Sequence, residues 1–117
     1  MTTQTKPWAE MTTQEKHLAL AEMMGWTKDH KKSPWWTTPT DTRHADNLQF
    51  VTDYDACFEG PVAWAKAQGA TVEIHIGHDD GYVNAWFRSG KNEWRLATEV
   101  SPDAICQAIY EAWRESQ

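Results

Sequence analysis

A chain of 117 residues suits one domain, because a single core of that length buries most of what it needs without disulfides or metals. Eleven Lys plus Arg against 17 Asp plus Glu leave a formal charge of -6, which argues against indiscriminate nucleic-acid binding, a task that needs a basic footprint. No apolar run approaches the roughly 20 residues that span a bilayer, no hydrophobic signal region opens the chain, and two cysteines without CxxC spacing suit free thiols in a reducing cytosol.

The expected setting is therefore cytoplasmic, with no membrane and no nucleic acid among the partners. Eight tryptophans are the unusual feature. Each buries a large area and brings one N–H that needs an acceptor. A core this small cannot easily hide them all, so some are expected in a groove or an interface between subunits.

Residues 1–11 are polar and aperiodic and are expected to be a flexible N-terminus despite Trp8. The first helix starts at Thr12, which with Glu15 forms a capping box. Leu18, Leu20, Ala21, Met23 and Met24 give it an apolar side, and Gly25 ends it as a left-handed cap.

From 27 to 47 the pattern lapses into a long loop with lysines, prolines and threonines around the pair Trp35 and Trp36. Loops of this length inside compact domains are usually functional or disordered. In the ordinary reading one ring plugs the sheet. In the functional reading the pair is an aromatic platform for a planar ligand, with Lys31, Lys32, Arg43 and His44 as anion partners; one ring in and one out satisfies both.

Asp53 to Gln68 reads as a second helix, capped by Thr52 or Asp53 and interrupted around Gly60-Pro61, so it is either one kinked helix or two short ones. The side-chain period then changes to two. Val72, Ile74 and Ile76 alternate with Thr71, Glu73 and His75; Val83, Ala85 and Phe87 alternate with Tyr82, Asn84, Trp86 and Arg88; and Trp94 and Leu96 alternate with Glu93, Arg95 and Ala97. Turn residues at His78-Asp79-Asp80-Gly81 and Ser89-Gly90-Lys91-Asn92 join the three strands. Finally Ser101-Pro102-Asp103 opens a helix whose stripe, Ala104, Ile105, Ala108, Ile109, Ala112 and Trp113, is expected to lie on Val72, Ile74, Ile76, Val83 and Phe87.

The expected fold is thus α+β: a three-stranded antiparallel meander packed with three helices in the order α-α-β-β-β-α, as one domain over 12–117. Two open edges and a face to cover also predict a homo-oligomer.

Several segments together, Ala21-Glu22-Met23-Met24-Gly25-Trp26, Val51-Thr52-Asp53-Tyr54-Asp55-Ala56 leading into Ala63-Trp64, the hairpins, and Ser101-Pro102-Asp103-Ala104-Ile105-Cys106 with Ala108, resemble the phage ABA sandwich domain family of small phage and prophage proteins. The resemblance covers most of the chain from about Thr12. It implies an α/β sandwich encoded by a bacteriophage and acting in the infected cell's cytoplasm. It implies no established activity and no shared catalytic residues. The Gly60-Pro61 interruption and the long tryptophan loop depart from the family's pattern.

No catalytic set emerges from the residues. His75-Ile76-Gly77-His78-Asp79-Asp80 offers imidazoles and carboxylates, but residues three apart on a strand face opposite ways, so a solvated hairpin turn is the better reading than a metal site. No nucleophile elbow and no phosphate loop occurs.

What is left is the polar face of the sheet with Glu73, His75, Asn84, Trp86, Arg88, Glu93 and Arg95, where guanidinium groups beside an indole suit an anionic aromatic ligand. An ordinary solvated face, or a dimer surface, is the competing reading. The function expected from all this is a phage accessory protein that binds, without chemistry or cofactor, a small nucleotide-like anion, sequestering a host antiviral signal. Its candidate ligand-binding residues are Trp35, Trp36, Arg43, His44, His75, Trp86, Arg88 and Arg95. The alternatives are a module docking a host protein and, last, a nucleotide-degrading enzyme using His75 or His44.

Overall fold

The computed structural model describes residues 6–28, 30, 32–76, 81–87, 94–97 and 100–115, giving for 94–97 the course of the backbone. The chain divides into two compact units, Met1–Leu48 and Gln49–Gln117.

The first unit has local structure earlier than its polar start suggests. Trp8–Glu10 forms a short 3-10 turn, and Trp8 is buried with the Lys16 ammonium 5.3 Å from its ring centroid. Residues 1–5 of the expected flexible stretch lie outside the described residues; within 6–11 one indole offers enough apolar area to be buried in a segment that has no periodicity of its own.

Helix α1, Thr13–Met23, begins as its sequence predicts. The Thr12 hydroxyl accepts from the Glu15 amide at 3.1 Å, and the Glu15 carboxylate accepts from the Thr12 amide at 2.8 Å. Lys6 adds an ammonium 2.8 Å from the same carboxylate. With Lys6 first and the Thr12 amide second, these donors hold the Glu15 carboxyl below its usual range. The helix closes in a Schellman motif: the Trp26 amide donates to Ala21 and the Gly25 amide to Glu22, with Gly25 at φ +81° where an L residue would be strained.

Residues 27–47 are not the single loop that their composition suggests. Strands β1, Trp35–Thr37, and β2, Thr42–His44, pair antiparallel, and Thr27 bridges to Thr37. Three-residue strands are too short to show a period of two, which is why they escape a pattern search.

The second unit opens with a helical run interrupted at Gly60-Pro61, as expected, with two short α-helices on either side of the interruption. Helix α2, Tyr54–Cys57, passes through a π-helical turn, Phe58–Val62, into α3, Ala63–Ala67. Pro61 has no N–H, and its ring would collide with the carbonyl four residues back in a regular helix; the wider turn removes that collision. Gly60 in this turn lies against the Phe50 ring, where an added Cβ would come within 2.8 Å of Phe50 Cε1.

Strands β3, Thr71–His75, β4, Tyr82–Trp86, and β5, Trp94–Ala97, hydrogen-bond in that order as antiparallel neighbours. Pairing of Val72 with Ala85, Ile74 with Val83 and Val83 with Leu96 sets these positions on one face. Helix α4, Pro102–Glu115, packs on β4 and β5, and α3 packs on β3. Ser101 caps α4, its hydroxyl accepting from the Ala104 amide at 3.1 Å.

Ile105, Ala108, Ile109 and Ala112 of α4 and Val83 of β4 are fully buried. Burying each isoleucine contributes on the order of 2 kcal/mol. Ile76, expected under this helix, instead lies past the end of β3 and is 81% exposed. The turn residues 78–80 and 89–92 lie outside the described residues.

The α+β class therefore holds, but the element order becomes α-β-β-α-β-β-β-α, counting 54–67 as one helical run, with a two-stranded sheet in the first unit and a three-stranded one in the second. Among the described residues no helix is long and apolar enough to cross a membrane.

Candidate ligand-binding surface

The β1–β2 hairpin is held by its turn. Pro39 follows Thr38, whose hydroxyl donates to the Asp41 carboxylate at 2.7 Å and accepts from the Asp41 amide at 3.0 Å, while the Thr38 amide donates to the Asp41 carbonyl at 2.8 Å. The Thr38 hydroxyl, and after it the Arg43 guanidinium, holds the Asp41 carboxyl below its usual range. At the open end the Ala45 amide donates to the Pro34 carbonyl at 2.7 Å.

Pairing then decides which side chains meet. Trp35 lies opposite His44, and Trp36 opposite Arg43, so the two tryptophans part to opposite faces. Trp35 is 52% exposed, with the His44 ring edge-on at 4.9 Å and 89°. His44 Nδ1 accepts from the Asp46 amide at 3.1 Å, which in the neutral ring leaves the proton on Nε2.

Trp36 is buried, with the Lys28 ammonium 4.8 Å above its ring. It forms one wall of an open cavity of about 260 Å³ shared with Glu15, Leu18, Ala19, Glu22 and Lys28. The expectation of one ring in and one out is what the hairpin delivers, and it removes Trp36 from the stacking role assigned to it. Arg43 is exposed and donates through Nε to Asp41 at 3.2 Å, on the strand face opposite Trp35. The proposed platform of two indoles with Arg43 is therefore divided by the hairpin itself.

On the three-stranded sheet His75 stacks on Tyr82, its cross-strand neighbour, with centroids 4.9 Å apart and planes 13° from parallel. Trp86 is half-buried opposite Thr71. Between them Asn84 is buried, its amide donating to Glu73 at 3.3 Å, so the centre of this face is not the open cradle expected of it. Arg95 pairs by backbone with Asn84 while its side chain lies outside the described residues, as do the whole of Arg88, Lys31 and His78.

Among the described residues no group of three or more His, Cys, Asp or Glu is placed to hold a metal ion. Two features escape the sequence pattern. Tyr54 and Phe58, one turn apart, stack at 6.5 Å with both rings exposed, and Cys57 and Cys106 meet in the core. Tyr54 at i and Phe58 at i+4 was a readable signal for the first. Nothing local signals the second.

No family model, no curated protein and no solved structure matches this chain.

Proposed function

We propose that this is a phage accessory protein that binds, without chemistry, a small anionic nucleotide-like ligand and so sequesters a host antiviral signal in the cytoplasm of the infected cell. One observation carries the reading: Trp35 holds more than half its surface open while His44 stands edge-on beside it. An exposed indole costs hydration unless something flat covers it, and base stacking on an aromatic ring is worth about 1–3 kcal/mol. His44 offers its Nε2 proton to an acceptor on the same ligand. Arg43, on the opposite face of the hairpin, takes no part in this site, and the resemblance to phage ABA sandwich proteins supplies the phage setting.

Calorimetric titration with cyclic nucleotides and ADP-ribose derivatives tests this reading. A saturable heat that Trp35→Ala abolishes is expected, and flat traces across the panel would remove it. The same reading takes the protein as a homo-oligomer, since β3 and β5 end the sheet; light scattering on the purified protein checks that.

A docking module for a host protein is the second reading, favoured by the exposed pair of Tyr54 on α2 and Phe58 at the start of the π-helical turn. Stoichiometric capture of a host protein, lost on substituting both rings by alanine, would favour it over the first. A nucleotide-degrading enzyme ranks last: its sign would be product formation lost in His75→Ala or His44→Ala.

A further inference from the structure

Cys57 stands in the last turn of α2 and Cys106 near the start of α4, and neither exposes any surface. α2 packs on α4, which brings sulfurs 49 positions apart in sequence to 3.6 Å. The Cys106 thiol donates to the Phe50 carbonyl at 3.3 Å, leaving its sulfur to accept from Cys57, and Cys57 also faces the Pro102 carbonyl at 3.8 Å. Both thiols are thus accommodated in the reduced protein. Burial first, and the neighbouring Cys57 next, push the Cys106 thiol well above its ordinary range, so it is protonated and unreactive while the helices stay packed.

We propose that Cys57 and Cys106 form a latent disulfide site that locks α2 to α4 when a small disulfide such as oxidised glutathione is available. The sulfurs already touch, against about 2.0 Å in a bonded pair, and no other cysteine competes for either. When the helix pair opens, one cysteine loses its proton to solvent and its thiolate attacks a glutathione sulfur. That forms a mixed disulfide and expels one glutathione thiolate. The second cysteine, deprotonated in turn, attacks the protein-side sulfur and expels the other glutathione. The two cysteines give up two electrons and two protons, and one glutathione disulfide becomes two thiols. Because the native thiols are closed to solvent, the exchange proceeds during folding or through local opening.

Refolding the full chain from urea in a glutathione redox buffer, with a parallel sample in excess dithiothreitol, tests the site. Intact mass and peptide mapping are expected to show one intramolecular Cys57–Cys106 bridge with the loss of two hydrogens. The bridged protein should melt roughly 10 °C above the reduced one, since a loop of this length is closed in its unfolded chain. Cys57→Ser should abolish both changes; should that variant fail to fold, the oxidised and reduced wild-type samples still decide the matter. Two thiols still titratable after refolding, a persistent glutathione adduct, or a bridge that lowers the melting temperature would each overturn the site.

Discussion

Two glycines separate the ways in which a missing side chain can matter. Gly25 has no atom within 4 Å of where a Cβ would stand, so Gly25→Ala meets only the strain of φ +81°, about 1 kcal/mol. Gly60 is the opposite case. Its added Cβ would press on the Phe50 ring at 2.8 Å, and that ring is itself buried. Gly60→Ala is expected to lower stability by about 1–3 kcal/mol, read as an earlier urea midpoint with unchanged slope. His17 gives a pH-dependent counterpart. It is buried on α1, and burial lowers its pKa below the ordinary 6.5. Well above that value both folded and unfolded chains hold a neutral ring. As pH falls through about 6.5 the unfolded chain takes up a proton that the folded one resists, so stability declines towards acid. His17→Asn should flatten that decline between about pH 7.5 and 5.5 whatever it does to stability at neutral pH, as denaturation midpoints across the range would show.

At the scale of elements, helix ends were legible because capping is local chemistry. Thr12 with Glu15, Gly25, Asp53 and Ser101-Pro102 each do in the structure what short-range hydrogen bonding requires of them. Ser101→Ala is therefore expected to cost about 1 kcal/mol through the orphaned Ala104 amide. Ile109→Ala, removing a fully buried side chain from the same helix, should cost about 2–5 kcal/mol. Thermal denaturation of the two variants should keep that order, because packing on β4 and β5 outweighs the cap. The elements that were not legible share a cause as well. Three-residue strands carry too few residues for periodicity; the break at Gly60-Pro61 was legible, but its π-helical form answers a clash that is three-dimensional in nature.

For the whole molecule, charge makes the firmest statement. An excess of six acidic groups lacks the footprint that a phosphate backbone needs, so no shift of duplex DNA is expected in a gel at physiological salt, and retention there would contradict the small-ligand reading. Composition also foresaw that not all tryptophans could be hidden. It did not say which: Trp8 and Trp36 are buried, Trp26, Trp64, Trp86 and Trp113 are half-buried, and Trp35 is exposed. Of the candidate binding residues, the hairpin keeps Trp35 with His44 and turns Trp36 inward, while Asn84 is buried in the face assigned to Trp86.

What the residues determined by themselves was local: helix caps, the two-residue period of β3 to β5, the apolar stripe of α4 and the α+β class. Hydrogen bonding within a turn and alternation along a strand depend only on near neighbours, so they can be read in order along the chain. Tertiary structure alone decided the pairing of Trp35 with His44, the burial of Trp36, Asn84 and His17, and the meeting of Cys57 with Cys106. Those depend on strand register and on which helix faces which, and contacts between residues far apart in sequence leave no local pattern to find.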